Sequence, residues 1–114
     1  MDHIPRARAE KIQNGNITSW EYTTASETMN VARIKIEGRY PEDGFTANLE
    51  VDSIIHILGG TGLLGTLDGA LVELAPHDQV HLAVNDAYYF EGNLEILYSA
   101  TPKWTHGQTI HIDQ

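Results

Sequence analysis

The sequence predicts an all-β barrel assembled from short strands, and three observations carry that reading. Apolar and polar residues alternate with a spacing of two, most cleanly over residues 31–37, where Ala32, Ile34 and Ile36 interleave with Arg33, Lys35 and Glu37. That is the pattern of a half-buried strand. Turn residues recur between the apolar runs, at Gly59-Gly60-Thr61-Gly62, Asp68-Gly69, Pro76-His77-Asp78 and Asn85-Asp86. No stretch shows a sustained helical period, so closely spaced strands must close on one another to bury their apolar faces.

Taken in order, residues 1–16 read as a polar N-terminal arm with at most one helical turn over 7–12, stopped by Asn14-Gly15-Asn16. A single barrel domain is expected over residues 17–114. Its strands are predicted at 17–23, 31–37, 45–50 and 51–58, with loops at 24–30 and 38–44. The run Ile54, Ile55, Ile57 and Leu58 ends in three glycines within four residues, which reads as a central strand closing into a tight turn. Asp68-Gly69 between the apolar runs 63–67 and 70–74 predicts a two-residue hairpin, because both central positions tolerate positive φ. Further strands are predicted at 80–84, 88–91, 94–100 and 109–113, with Thr101-Pro102 breaking the sheet.

Composition narrows the function classes. At 114 residues with 41% apolar content the chain is long enough for one core. A net charge of −9 argues against nucleic acid and against an anionic membrane surface, both of which need clustered Lys and Arg. With no cysteine, disulfides, thiolate metal sites and Cys nucleophiles are excluded. No apolar run approaches the roughly 20 residues of a membrane-spanning helix. The first six residues lack the apolar core of a signal peptide. A cytoplasmic location is the expectation.

The spacing of residues 53–92 resembles the two motifs of the cupins, small jelly-roll barrels also described as double-stranded β-helices. The second motif is kept from end to end in spacing, its slots falling on His77, Ala83, Asn85, Tyr88 and Gly92; the Glu-to-Gly part of the first falls on Ser53 and Gly60. Cupins often carry Gly at the slots of His77 and Asn85, and His and Asn are among the non-Gly residues that best tolerate positive φ. The resemblance spans about residues 31–113. More narrowly, Gly38-Arg39-Tyr40-Pro41, Tyr88-Tyr89-Phe90-Glu91-Gly92-Asn93 and Thr101-Pro102-Lys103-Trp104 are similar to segments of small single-domain cupins.

The resemblance implies a metal site that these residues do not rebuild. The family's His pair maps to Thr46 and Asn48, or to Ala47 and Leu49 if the spacing is one shorter. Its Glu slot is Ser53 and its last His slot is Tyr88. None is a strong transition-metal ligand, so no cofactor is expected. Thr46, Asn48, Ser53 and Tyr88, with Phe90 at the parity of Tyr88, would instead line a barrel mouth able to bind a small polar molecule such as a carbohydrate. Two alternatives stand beside this reading. One is an enzyme of isomerase, epimerase or oxygenase type. It would use either a displaced metal at His56 and His81, near Glu50 or Asp52, or an acid–base pair of Tyr88 with His81 and Asp52 or Asp78. The other is a structural barrel filled by its own side chains. If Ser53 faces inward, His56 three residues on faces outward unless a bulge intervenes. His106 and His111 are expected to be exposed. Gly59-Gly60-Thr61-Gly62 is not a phosphate loop, since no Lys-Ser/Thr and no helix follow. Trp20, Tyr22 and Trp104, near the termini, suit the interface of a homodimer.

Overall fold

The computed structural model describes residues 1–113, the side chain of His106 excepted. Nine strands make up the described chain: β1 (Glu10–Asn14), β2 (Ile17–Tyr22), β3 (Asn30–Tyr40), β4 (Phe45–Asn48), β5 (Asp52–Thr66), β6 (Leu71–Leu74), β7 (Gln79–Leu82), β8 (Tyr88–Thr101) and β9 (Thr109–Ile112). The only helical pieces among the described residues are 3-10 turns at Arg6–Arg8 and His106–Gln108. No helix is long and apolar enough to cross a membrane.

The sheet is wholly antiparallel and curls around β8. One edge of β8 pairs with β5 along its entire length, from Asp52↔Thr101 to Thr66↔Tyr88. The other edge pairs with β3, from Asn30↔Ala100 to Tyr40↔Phe90, and then with β4 at Thr46↔Tyr88. β1 and β2 extend the sheet beyond β3, β9 extends it beyond β4, and β6 and β7 cover the far edge of β5. Successive side chains of a strand point to opposite faces, so a curled sheet gathers one parity inside. Ile36, Ile55, Ile57, Leu64, Leu94 and Ile96 form that inner face and are almost completely buried. Together these strands close the all-β, cupin-type barrel that the sequence spacing implied.

Several boundaries differ from the sequence reading, each for a physical reason. The first 16 residues are not only an arm, because residues 10–14 form β1 in a hairpin with β2, turning at Gly15 with φ +58°. The run read as two strands at 88–91 and 94–100 is one 14-residue strand, β8. Gly59-Gly60-Thr61-Gly62 is not a turn but the middle of the 15-residue β5. Its glycines permit close approach: a Cβ at Gly62 would sit 2.5 Å from the Glu91 carbonyl oxygen, and one at Gly92 would sit 2.5 Å from the Gly62 Cα. A bulge between Ile57 and Gly59 leaves Leu58 as the extra residue. It resets parity, so that Ser53, Ile55 and Ile57 before it and Leu64 after it all face inward. The Asp68-Gly69 hairpin forms, but with three loop residues. Thr66 N–H donates to Ala70 O at 3.0 Å, Gly69 N–H donates to Thr66 O at 3.0 Å, and only Gly69 takes positive φ. That is a turn closed by a glycine bulge rather than a two-residue turn. Positive φ is found at His77 (+76°) and Asn85 (+72°), as the motif spacing required.

Candidate functional site

A cavity of about 330 Å³ opens inside the barrel, between the inner faces of β1, β2, β3, β4, β5 and β8 and the segment leading into β9. It is built by parity. Ile12 and Asn14 of β1 lie opposite Ser19 and Ile17 of β2, and Ile34, Ile36 and Tyr40 follow on β3. Thr46 and Asn48 come from β4, Ile55 from β5, and Tyr88, Phe90, Ile96 and Tyr98 from β8. The walls are largely aliphatic and aromatic, with a few polar groups converging at one end, which is the usual make-up of a small-molecule pocket. A broader cleft of about 690 Å³ under the N-terminal arm, bounded by Asp2, His3, Arg8 and Thr24 among others, is shallow and open to solvent. It gathers no comparable set of buried polar groups.

Asn48 is the centre of the polar end, and its amide orientation is fixed by its neighbours. Gln108 Nε2 and Thr109 Oγ1 both donate to Asn48 Oδ1 at 3.0 Å. Thr109 Oγ1 in turn accepts from Trp104 Nε1 at 3.0 Å and from Gln108 Nε2 at 2.9 Å, so its own proton is committed to Asn48. The oxygen of the amide is thereby saturated and its NH₂ must point the other way, where Nδ2 donates to the Tyr98 hydroxyl at 3.2 Å. The same amide lies against Tyr88 as a hydrogen-bond partner that favours the ionised form, opposing the larger effect of desolvation. A phenol that accepts from an amide keeps its own O–H free to donate. Gln108 is held in turn, its Oε1 accepting from Glu50 N–H at 3.3 Å and its carbonyl from Leu49 N–H at 2.8 Å.

Burial sets the protonation of the phenols. Tyr88 is pushed far above the ordinary phenol range by desolvation, reinforced by Tyr98 and Tyr40 beside it. Tyr98 is raised chiefly by desolvation, partly offset by Ser53 and Asn48, and Tyr40 is raised by desolvation alone. All three stay neutral around pH 7 and act there as hydrogen-bond donors, not bases. Glu21, at the rim, is raised by desolvation and then by Glu10, its cross-strand partner. Phe90 packs edge-on against Tyr88 with ring centroids 5.5 Å apart.

The residues expected to line the mouth are therefore gathered, with one exception. Thr46, Asn48, Tyr88 and Phe90 all line the cavity. Ser53 points inward and is only 1% exposed, but it lies in the wall behind Tyr98, and its Oγ has no well-aligned hydrogen-bond partner although it sits near enough to lower that phenol's pKa. The expectation of a barrel filled by side chains does not hold, given the cavity behind Tyr88. His56 and His81 belong to no group of three potential ligands among the described residues. They lie on the outer face of β5 and β7, where His81 Nε2 is 3.5 Å from Asp52 and the His56 ring is 6.4 Å from that of His77. For the same reason His81 and Asp52 cannot share a site with Tyr88, which faces the interior.

The only group of three potential metal ligands among the described residues is Asp43, His111 and Asp113, all exposed. There His111 Nε2 is 3.7 Å from Asp43 and Nδ1 is 3.3 Å from Asp113. The two ring nitrogens thus face different carboxylates, while one ligand atom from each of the three residues lies within 4.8 Å of the others, on the exposed surface and away from the cavity. The family's metal slots do not fit a metal, since an alcohol, an oriented amide, a buried alcohol and a neutral phenol occupy them. Of Trp20, Tyr22 and Trp104, the aromatics expected at an interface, Trp20 carries the Arg33 guanidinium 4.0 Å over its ring and Trp104 lines the cavity. His111 is exposed as expected; His106 falls outside the described side chains.

Sequence reasoning missed Tyr40, Tyr98, Glu21, Trp104, Gln108 and Thr109. Tyr98 was within reach, since it shares the even parity of Tyr88 and Phe90 once β8 is read as a single strand. Tyr40 and Trp104 stand in two of the segments quoted for the resemblance, Tyr40 beside Pro41 and Trp104 two residues after Pro102.

No family model matches the sequence, and no curated protein matches it. Solved structures do. The chain is similar to Pac13, described as a unique nucleoside dehydratase, at a TM-score of 0.88 and 14% identity over 99% of this chain and 92% of that one. A variant of the Streptomyces Pac13 has been solved with uridine, at a TM-score of 0.88 and 15% identity over 99% of this chain and 91% of that one. The polyketide cyclase RemF from Streptomyces resistomycificus superposes at a TM-score of 0.79 and 12% identity, over 100% of this chain and 87% of that one. At such identities the likeness establishes the fold, a cupin-type, RmlC-like β-barrel, and several proteins of this shape are enzymes acting on small molecules.

Proposed function

We propose that this chain binds a small, polar, ring-bearing molecule of nucleoside or sugar size in the barrel cavity, without a transition metal. The observation that carries the reading is the Asn48 network. It uses several buried hydrogen bonds to orient one amide towards two neutral phenols that border a cavity of about 330 Å³ with largely aliphatic and aromatic walls. Buried polar groups so fully satisfied on one side and left facing empty space on the other are arranged for a ligand that completes them. Aromatic walls suit the flat or apolar face of a sugar or base, and the phenol and Thr46 hydroxyls suit its oxygens. Thr46 Oγ1 already donates to Ile110 O at 3.2 Å, so towards the cavity it accepts. That a barrel of the same shape was solved with uridine supports a nucleoside-sized ligand. The proposal also includes a second copy of the chain as partner, because β1 forms an edge of the sheet among the described residues and Ile12 and Leu49 are exposed.

The test is a thermal-shift and calorimetric screen of neutral nucleosides and monosaccharides. A true ligand raises Tm in proportion to the logarithm of its concentration. Replacing Tyr98 with Phe removes one donor and should weaken a ligand found this way by about five- to twentyfold. Absence of any response at millimolar concentrations across both classes would end the reading. Sedimentation of the protein at micromolar concentration settles the partner.

A further inference from the structure

We infer that Glu21, backed by Glu10, is a charge filter at the cavity rim, so that the ligand is an uncharged hydroxylated compound, a free nucleoside or sugar, and its phosphorylated or carboxylated forms are turned away. The inference rests on the preceding reading of the cavity and adds the chemical class of its occupant.

Three observations carry it. First, among the described residues that line the cavity there is one carboxylate, Glu21, and no Lys, Arg or His. A phosphate or carboxylate entering would find no counter-charge, and partly desolvated surroundings strengthen repulsion relative to water. Second, Glu10 and Glu21 are direct cross-strand partners on β1 and β2. The next pairs in the same row, Ile12↔Ser19 and Asn14↔Ile17, all line the cavity, which places the two carboxylates on the face that leads into it. Like charges directly opposite destabilise a strand pair. Third, the nearest cations of the same sheet are turned away. Lys11 and Arg33 lie over the outer ring of Trp20, at 5.9 and 4.0 Å. Arg39 is spent on Pro41 O and Gly44 O at 2.8 and 3.0 Å and stacks on Tyr89. Within the sheet charge is therefore segregated, cations outside and carboxylates at the mouth; Arg8 and His3 of the N-terminal arm share the outer cleft with Glu10 and Glu21, and there Arg8 donates to His3 O at 2.7 Å.

The experiment compares matched pairs of probes with the full chain at pH 8, where carboxylates are ionised: uridine against uridine 5′-monophosphate, and glucose against glucose 6-phosphate and glucuronate. In any series whose neutral member binds, the anionic member should bind at least about tenfold more weakly at low salt, and the gap should narrow as salt is raised. Glu21→Gln, which preserves shape, should reduce the gap to less than about threefold, and Glu10→Gln should reduce it partway. The salt series on the unaltered protein keeps the test decisive if either variant folds poorly. An anionic probe that binds as tightly as its neutral parent, or a gap that Glu21→Gln leaves untouched, overturns the filter while leaving the cavity's role standing. If no neutral probe binds, the cavity reading itself fails and the filter falls with it.

Discussion

At the scale of single residues, two buried polar side chains of the barrel wall make opposite predictions. Asn48 is 5% exposed and meets Gln108, Thr109 and Tyr98. Truncating it strands the donors of Gln108 and Thr109 in a dry site, and an unsatisfied buried group costs more than a made hydrogen bond contributes. Asn48→Ala should lower stability by about 2–3 kcal/mol in urea unfolding and abolish ligand binding together. Ser53 stands where the family's carboxylate ligand would be, and its hydroxyl is buried without an aligned partner. Ser53→Ala removes a desolvated group and should be neutral or stabilising by up to about 1 kcal/mol. A loss larger than that would show that its contact with Tyr98 is a made hydrogen bond. The pair also separates what was legible from what was not. Residue types at fixed slots told which positions face inward, and they told that the metal donors had been replaced. They could not tell that Asn48 would be clamped by Gln108 and Thr109, because that clamp joins positions 60 residues apart through a short 3-10 turn with no periodic signal.

At the scale of elements, the turns before and after β7 are twins. Ala75 N–H and Ala83 N–H each donate to an Asp three residues on, Asp78 at 3.0 Å and Asp86 at 2.8 Å. The third residue of each turn, His77 or Asn85, takes positive φ, as a type II turn demands. Both turns then anchor strands through backbone bonds: His77 N–H donates to Ile57 O, and Asn85 N–H donates to Asn48 O, each at 2.8 Å. A β-branched residue cannot hold this conformation without strain. His77→Val and Asn85→Val should each cost about 1–2 kcal/mol, whereas His77→Gly and Asn85→Gly should stay within about 0.5 kcal/mol, as read from denaturant midpoints at constant m. These turns were foreseeable because their requirement is local. The continuity of β5 and β8 was not. Glycine at 59, 60, 62 and 92 looks like punctuation in a linear sequence, yet here it lets two long strands pass closely at Gly62 and Gly92. Only the partner strand reveals that need.

At the scale of the molecule, the barrel buries three phenols from two neighbouring strands, Tyr40 of β3 and Tyr88 and Tyr98 of β8, and this predicts how it fails in alkali. Each of the three has its pKa raised above the ordinary phenol value of about 10, with desolvation the largest cause. In the unfolded chain they release their protons around pH 10, while the folded protein retains them, so the native state binds more protons above that pH. The linkage relation then makes stability fall as pH rises, beginning near pH 10 and continuing until the folded phenols ionise. Each group contributes a slope of up to about 1.4 kcal/mol per pH unit. Their mutual repulsion as phenolates adds cooperativity, because Tyr88 feels both of the others. Urea unfolding between pH 8 and pH 11 should therefore show a flat region followed by a steep loss, with ultraviolet phenolate absorbance appearing at the same pH as unfolding. Tyr88→Phe should make the loss shallower, since it removes one of the protons that the native state retains. A phenolate signal that rose well before unfolding would instead show that water reaches these tyrosines and that the cavity is a solvated channel.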